Sequence, residues 1–142
     1  MRKLLFVCTG NTCRSPMAEG IFNVYAAQEG LNALASSAGL TVTSPQPACD
    51  NAVLAAKEYG ADLSAHRARR VDASMIDESD AVLCMTYGHQ TVLERMFPQY
   101  AEKILCLAQY DIADPYGGDL ELYRKTAAQI DAAIRKLPIR GQ

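Results

Sequence analysis

The chain has 142 residues, of which 49% are hydrophobic and 21% charged, a balance typical of a globular protein with one domain over residues 1–142. Its 14 basic and 16 acidic residues give a net charge of -2, which argues against a nucleic-acid partner because such binding depends on cations facing phosphates. No stretch approaches the ~20 apolar residues of a membrane span, and the run at residues 4–7 is too short for a secretory signal. Five cysteines, an odd number, favour reduced thiols and a cytoplasmic location.

Apolar periodicity and turn residues predict strands that alternate with helices along the chain. The predicted strands cover residues 4–7, 33–38, 81–85 and 104–107. The predicted helices cover residues 16–29, 51–59, 72–79 and 90–96, and a last helix places Tyr123, Ala127, Ile130, Ile134 and Leu137 on one face. This alternation predicts an α/β fold, a single-domain three-layer sandwich with a four-stranded, mainly parallel sheet and helices on both faces.

The segment between the first strand and the first helix reads Cys8-Thr9-Gly10-Asn11-Thr12-Cys13-Arg14-Ser15. A loop of this length lets its backbone N–H groups converge on one point, with Gly10 permitting unusual backbone angles there. The helix that follows adds the positive end of its dipole. Such a cradle suits a tetrahedral oxyanion, and the planar guanidinium of Arg14 can hold two of its oxygens.

Cys8 lies at the base of this predicted cradle. The loop amides, Arg14 and the helix end all favour a thiolate there, and the Ser15 hydroxyl can donate a hydrogen bond to it. A thiolate below a bound phosphorus is placed for in-line attack. The spacing also fits a buried cysteine at a strand end followed by a solvated arginine, and the strand–loop–helix context favours the nucleophile.

Asp114 is the candidate proton donor for such a transfer. It stands in a glycine-containing segment near the C-terminus, and Pro115 biases it toward extended geometry that presents its carboxyl group. Asp114 can protonate the leaving atom and then take a proton from the water that hydrolyses a phosphocysteine. An Asp-Pro pair by itself also fits an ordinary turn, so the assignment depends on the cysteine loop.

Residues 8–19 together with Asp114-Pro115-Tyr116-Gly117 resemble the low-molecular-weight protein tyrosine phosphatases, and the likeness covers essentially the whole chain. The resemblance implies that Cys8 is the nucleophile, that Arg14 binds phosphate and that Asp114 is the general acid. It implies a phosphorylated protein as the substrate and a four-stranded parallel sheet. We expect a monomer that needs no cofactor and no metal, since the cysteines and histidines show no metal-ligand spacing.

The resemblance also assigns phosphate-binding or supporting roles to Thr9, Gly10, Asn11, Thr12, Cys13 and Ser15. Ser37 and His66 match a serine that follows the second strand of the family and a histidine before a basic run, and both are expected to hydrogen-bond Asn11. A turn serine and a surface histidine remain the alternative interpretations of these two residues. Arg67, Arg69 and Arg70 form the basic run itself, which fits a solvated face or a docking site for acidic protein segments.

Thr12 bears on the choice of substrate. Phosphotyrosine-specific relatives commonly have isoleucine at this position, whereas the threonine resembles the bacterial protein arginine phosphatases. A threonine hydroxyl can accept a hydrogen bond from a guanidinium N–H, which isoleucine cannot. We therefore expect phosphoarginine to be favoured over phosphotyrosine, while Tyr116 beside the pocket can equally stack on a phosphotyrosine ring.

Two further interpretations of the loop are open, and one regulatory expectation follows from it. The loop also resembles that of thioredoxin-coupled arsenate reductases, but the cysteine after Cys84 is only Cys106, and position 16 is proline where those enzymes usually have glutamine. The other alternative is a phosphate-binding module without catalytic activity, and the presence of both Cys8 and Asp114 favours an enzyme over it.

Cys8 and Cys13 in one loop predict reversible inactivation through a disulfide between them.

Overall fold

The computed structural model of the protein describes residues 1–139, which form a single sheet with helices packed on it. The strands are β1 (Arg2–Cys8), β2 (Ala33–Gly39), β3 (Ala81–Cys84) and β4 (Ile104–Cys106). The helices are α1 (Arg14–Gln28), α2 (Asp50–Lys57), α3 (Ala73–Glu78), α4 (Tyr87–Met96) and α5 (Leu120–Arg135), with a 3-10 helix over Pro98–Lys103.

All strand pairs of the described sheet are parallel, in the order β2-β1-β3-β4. Phe6 in the central strand β1 lies opposite Ser37 of β2 and opposite Leu83 of β3. From β1 the chain therefore moves first to one side of the sheet and later to the other. In open α/β sheets, the carboxyl end of the strand at such a reversal is where ligands bind. The segment after Cys8 occupies this place.

Alternate residues of β1 face opposite layers, as expected for a strand that is covered on both sides. Leu4, Phe6 and Cys8 pack into a core with residues of α1, α2 and α5. Leu5 and Val7 pack into a second core with residues of α3, α4 and the neighbouring strands. The predicted three-layer α/β sandwich with helices on both faces is thereby confirmed, and the sheet is wholly parallel where the sequence indicated a mainly parallel one.

Helix boundaries differ from the predicted ones where capping and proline chemistry act. α1 begins at Arg14 rather than at residue 16, because Pro16 fits the first turn, whose N–H groups have no acceptor within the helix. α4 begins at Tyr87 rather than at residue 90, because the Thr86 hydroxyl caps it by accepting a hydrogen bond from the His89 N–H. Asp119 caps α5 in the same way through the Leu122 N–H.

The 3-10 helix at Pro98–Lys103 was not predicted, since its composition is that of a loop. The predicted strands at 81–85 and 104–107 each end one residue earlier, at Cys84 and Cys106. Within residues 1–139, no helix has both the length and the apolar character needed to cross a bilayer.

Candidate active site

The loop between β1 and α1 wraps around a small cavity at the carboxyl end of the sheet. Asn11 adopts a left-handed backbone conformation with φ of 56°, and it is the one residue other than glycine with a positive φ among those described. The sequence assigned the unusual backbone angle to Gly10, which was wrong, because Asn11 tolerates this region and has the side-chain bonds that hold it there. The Cys13 side chain makes no capping bond to α1, so the first-turn N–H groups remain available to an anion.

Cys8 ends β1 with its thiol buried at the base of the loop. The Ser15 hydroxyl oxygen lies 2.9 Å from Cys8 Sγ, and the Asn11 backbone N–H donates to the same sulfur at 3.3 Å. Ser15 Oγ accepts a hydrogen bond from Asn11 Nδ2 at 2.8 Å, so its proton is directed either to the sulfur at 2.9 Å or to the more distant Ala38 carbonyl oxygen at 3.4 Å. Both groups stabilise negative charge on Cys8.

A chain of side-chain hydrogen bonds behind the loop fixes the amide of Asn11. Ser37 donates to Glu19 Oε1 at 2.6 Å and therefore accepts from Asn11 Nδ2 at 3.0 Å, so both amide protons of Asn11 are used. Asn11 Oδ1 accepts from the Arg69 backbone N–H at 3.0 Å. Because every donor and acceptor of the amide is paired, its orientation is unique.

His66 Nε2 lies 2.7 Å from the Asn11 backbone oxygen, so both residues expected to contact Asn11 do so in the structure. Arg69 also donates from Nε to the Ser37 backbone carbonyl oxygen at 3.0 Å. Arg69 is exposed, as expected for a solvated basic face, and in addition its backbone N–H and its Nε support the loop through Asn11 and Ser37. Glu19 and Arg69 were missed because their contacts join segments distant in sequence.

Arg14 lies at the start of α1 with its guanidinium buried beside the cavity. Nη1 donates to the Ile112 carbonyl oxygen at 2.8 Å, and Nη2 lies 3.5 Å from Thr9 Oγ1 and 3.6 Å from Asp114 Oδ2. The hydrogen bond to Ile112 orients the guanidinium plane, because it fixes the position of Nη1. The segment that carries Asp114 thus both orients the arginine and places a carboxyl group next to it.

The cavity itself has a volume of about 180 Å³ and is lined by Cys8, Thr9, Gly10, Thr12, Cys13, Arg14, Asp114 and Tyr116. Asp114 is half-exposed at its rim, where Oδ1 accepts from the Tyr116 N–H at 3.1 Å. Tyr116 stands above the opening with 74% of its surface exposed. The structure therefore brings the loop, the arginine and the aspartate of the sequence hypothesis to one anion-sized site.

Cys13 faces a different set of neighbours from Cys8. Its Sγ lies 2.9 Å from Cys49 Sγ and 3.4 Å from the Tyr123 hydroxyl oxygen. Burial, together with the neighbouring Cys49 thiol, raises the pKa of Cys13 above its ordinary value. The Cys13–Cys49 contact was not predicted, because 36 residues separate the two cysteines.

The remaining cysteines do not reach this site. Cys84 and Cys106 are register partners in β3 and β4, a proximity that sequence spacing did not show. Cys84 packs into the core on the opposite face of the sheet from Cys8, so it is not placed to relay electrons to that thiol. Within residues 1–139, no three His, Cys, Asp or Glu side chains are grouped so that they could hold a metal ion.

His89 is another residue at this site to which the sequence assigned no role. Its Nε2 lies 2.8 Å from Thr9 Oγ1, which brings α4 into contact with the loop. Burial and, to a lesser extent, the positive charge of Arg14 lower the pKa of His89 to about 4, while Asp111 and Asp114 act in the opposite direction. The imidazole is therefore neutral at pH 7.

The fold and the site together define an α/β protein with an oxyanion cradle built on a cysteine. The sequence profile of the family described as "Low molecular weight phosphotyrosine protein phosphatase" matches residues 3–140. The chain belongs to this family, which confirms the resemblance drawn from its motifs, and it is a cysteine-dependent protein phosphatase.

Similar proteins come from several bacteria. The "Protein-arginine-phosphatase" of Bacillus subtilis (strain 168) is 36% identical over 140 residues, which cover 94% of this chain and 93% of that protein. The crystal structure of a low molecular weight protein tyrosine phosphatase from T. tengcongensis is 43% identical, with a TM-score of 0.92 and coverage of 96% of this chain and 97% of that one. A cysteine-to-serine mutant of the YwlE arginine phosphatase "with phosphorylated active site serine" is 34% identical, with a TM-score of 0.91 and coverage of 95% and 92%.

Proposed function

We propose that the protein hydrolyses phosphorylated side chains through a phosphocysteine on Cys8. The observation that carries this proposal is the convergence of Cys8, Arg14 and Asp114 on one cavity of about 180 Å³, with Cys8 Sγ 2.9 Å from the Ser15 hydroxyl. Loop N–H groups and the Arg14 guanidinium hold the phosphoryl oxygens, and they compensate the charge that these oxygens carry during transfer. The YwlE mutant phosphorylated on its active-site serine supports covalent chemistry at the corresponding place.

The reaction has two steps, the formation of the phosphocysteine and its hydrolysis. In the first step the Cys8 thiolate attacks phosphorus, the S–P bond forms, the bond to the leaving atom breaks, and Asp114 gives its proton to that atom. In the second step Asp114, now a carboxylate, takes a proton from water, whose oxygen attacks phosphorus while the S–P bond breaks. Phosphate leaves and the Cys8 thiolate is regenerated.

We infer that phosphoarginine is the favoured substrate, and Thr12 supports this. Thr12 lines the cavity, and the one polar contact of its hydroxyl within residues 1–139 is a long one, 3.8 Å to Cys13 Sγ. A threonine that merely stabilises the loop would bond the backbone. This hydroxyl is free to accept from a guanidinium N–H, whose burial without a partner costs about 1–3 kcal/mol. The 36% identity to a protein-arginine phosphatase points the same way.

Thr12 variants test the preference. We expect Thr12→Ile and the nearly isosteric Thr12→Val to lower kcat/KM for a phosphoarginine peptide by roughly tenfold or more, while kcat/KM for the matching phosphotyrosine peptide holds or rises. Thr12→Ser retains the hydroxyl and is the matched control that keeps the preference. A parallel change for both peptides in Thr12→Val would refute the assignment.

Phosphotyrosine hydrolysis is the second candidate, and Tyr116 favours it. This ring is 74% exposed at the rim of the cavity, where it is free to stack on a phosphotyrosine ring. The phosphate cavity also shares Gly10, Thr12 and Tyr116 with a wider cleft of about 530 Å³ that is lined by residues of the segment 41–50, and this cleft suits a protein segment as substrate. Parallel turnover of the two peptides by the wild-type protein decides between the candidates.

We also propose that peroxide inactivates the enzyme reversibly. The Cys8 thiolate attacks a peroxide oxygen and becomes a sulfenic acid, and the Cys13 sulfur then displaces water to form a Cys8–Cys13 disulfide. Cys8 and Cys13 both line the cavity, which supports the pairing. We also propose that the protein acts in the cytoplasm, as a monomer, on phosphorylated proteins; the five unpaired cysteines of the described residues support the reducing compartment.

A further inference from the structure

His89 is buried beside the phosphate loop, and the two steps described above leave it without a role. It lies in the first turn of α4, held there by its N–H bond to Thr86 Oγ1, and only 7% of its surface is exposed. Its Nε2 contacts the hydroxyl of Thr9, the residue directly after Cys8. Its Nδ1 is the one buried side-chain nitrogen or oxygen without a hydrogen-bond partner within residues 1–139.

The unpartnered Nδ1 determines where the single proton of the neutral ring resides. A buried N–H without an acceptor is rare in native proteins, whereas an unused lone pair is better tolerated. The proton is therefore on Nε2, the nitrogen that lies 2.8 Å from Thr9 Oγ1. In this tautomer His89 donates to Thr9, and the bare lone pair of Nδ1 is the group left without a partner.

The tautomer in turn determines the direction of the Thr9 hydroxyl. Thr9 Oγ1 accepts from His89 Nε2 and, at 3.5 Å, from Arg14 Nη2, which can only donate. A hydroxyl oxygen has two lone pairs and one proton, so both lone pairs are used and the proton points elsewhere. Because Thr9 lines the phosphate cavity, a phosphoryl oxygen bound there is the acceptor that we assign to this proton. With the other tautomer, the Thr9 proton would be spent on His89.

We propose that His89 is a positioning residue that holds Thr9 Oγ1 as a double acceptor and so presents the Thr9 hydroxyl proton to an oxygen of the bound phosphoryl group. The inference rests on the proposed function of the Cys8 loop. No covalent bond changes at His89 or Thr9, since their contribution is one oriented donor in a site that carries negative charge through the transfer. The same orientation of Thr9 also helps to position the Arg14 guanidinium, because Thr9 Oγ1 accepts a hydrogen bond from Arg14 Nη2.

The tautomer is measured directly in the unmodified protein. The chain has two histidines, so a long-range proton–nitrogen spectrum at pH 7 contains two imidazoles, and the His89→Gln spectrum identifies one of them by its loss. We expect the Nε2 of His89 to be protonated and its Nδ1 to be bare. A proton on Nδ1, or on both nitrogens, overturns the proposal.

Kinetics then test whether His89 acts through Thr9. We expect His89→Leu to lower kcat/KM by about tenfold, as for one lost hydrogen bond, and to have no further effect in the Thr9→Val background. His89→Gln keeps an N–H donor at the same reach and should recover kcat/KM to within about threefold of wild type. A purely structural role would give the same loss in both backgrounds and no rescue by glutamine, and either result overturns the proposal.

The proposed phosphocysteine function and the proposed role of His89 are tested by different results. Turnover by Cys8→Ser would remove the proposed function and leave the tautomer of His89 unaffected. The opposite tautomer would remove the role of His89 and leave the phosphocysteine mechanism intact.

Discussion

Replacing Asn11 tests whether the phosphate loop is held in a conformation that its side chain makes possible. Asn11 is fully buried with φ of 56°, and its amide joins Ser15, Ser37 and the backbone of Arg69. Asn11→Ala removes all three hydrogen bonds and places a residue with a Cβ, but without a local polar partner, in the left-handed region. The loop then loses both its support and its preferred backbone geometry.

The size of the effect follows from these two terms. Each lost hydrogen bond is worth about 1 kcal/mol, and the left-handed conformation costs alanine about 1–2 kcal/mol. We therefore expect Asn11→Ala to lower the free energy of unfolding by roughly 4–5 kcal/mol, which corresponds to a decrease in Tm of roughly 10–20 °C for a chain of this length. The catalytic rate should fall as well, because Ser15 loses the partner that directs its hydroxyl toward Cys8.

Asn11→Gly separates the effect of the lost hydrogen bonds from the effect of backbone strain. Glycine loses the same hydrogen bonds but accepts a positive φ without strain. Its larger loss of backbone entropy on folding offsets part of this gain, so Asn11→Gly should be more stable than Asn11→Ala by about 0.5–1 kcal/mol. This is the reverse of the usual order, in which glycine is the less stable of the two. Urea unfolding of both variants, followed by circular dichroism, measures the difference. Alanine equal to or better than glycine would refute the claim that backbone strain at Asn11 is held by its side chain.

Three other predictions concern catalysis, oxidation and pH. Asp114→Ala should reduce kcat by about 10²–10³ for aryl phosphates with poor leaving groups and far less for good ones, and equal losses would exclude it as the acid. Hydrogen peroxide should give a Cys8–Cys13 disulfide and, in Cys13→Ser, irreversible inactivation; a Cys13–Cys49 disulfide mapped instead by mass spectrometry, and absent in Cys49→Ser, would contradict the pairing. Because burial lowers the pKa of His89 from 6.5 to about 4, the unfolded chain binds a proton between these pH values that the folded chain does not, so stability should fall with falling pH across this window, and less steeply in His89→Gln. Equal slopes in the two proteins would count against that assignment.

Local patterns were sufficient for the parts of the fold that depend on neighbouring residues. The apolar run of β1, the helix after it and the apolar face of α5 were all predicted, and the cysteine loop is contiguous in sequence, so its chemistry could be interpreted without a structure. The ends of helices were less accurate because side-chain caps such as that of Thr86 and a tolerated first-turn Pro16 move them by two or three residues.

Contacts between distant segments could not be predicted in the same way. Glu19 and Arg69 orient the loop through Ser37 and Asn11. Both lie in recognisable stretches of sequence, but nothing there indicates which distant residues they contact. Gly39 offered a weak signal as a glycine at the end of a strand. A Cβ on it would lie 2.8 Å from the Thr9 carbonyl oxygen and 2.9 Å from the Asn11 nitrogen, so the sheet needs glycine where the loop packs against it.

The phosphocysteine is the intermediate on which the account depends, and trapping it is the most direct test. An excess of wild-type protein is mixed with a phosphoarginine peptide, quenched with denaturant within a single turnover and mapped by mass spectrometry. We expect one phosphoryl group on Cys8 that appears before free phosphate and decays as phosphate is released. Phosphate release at the full rate without a phosphoryl group on Cys8 would contradict it.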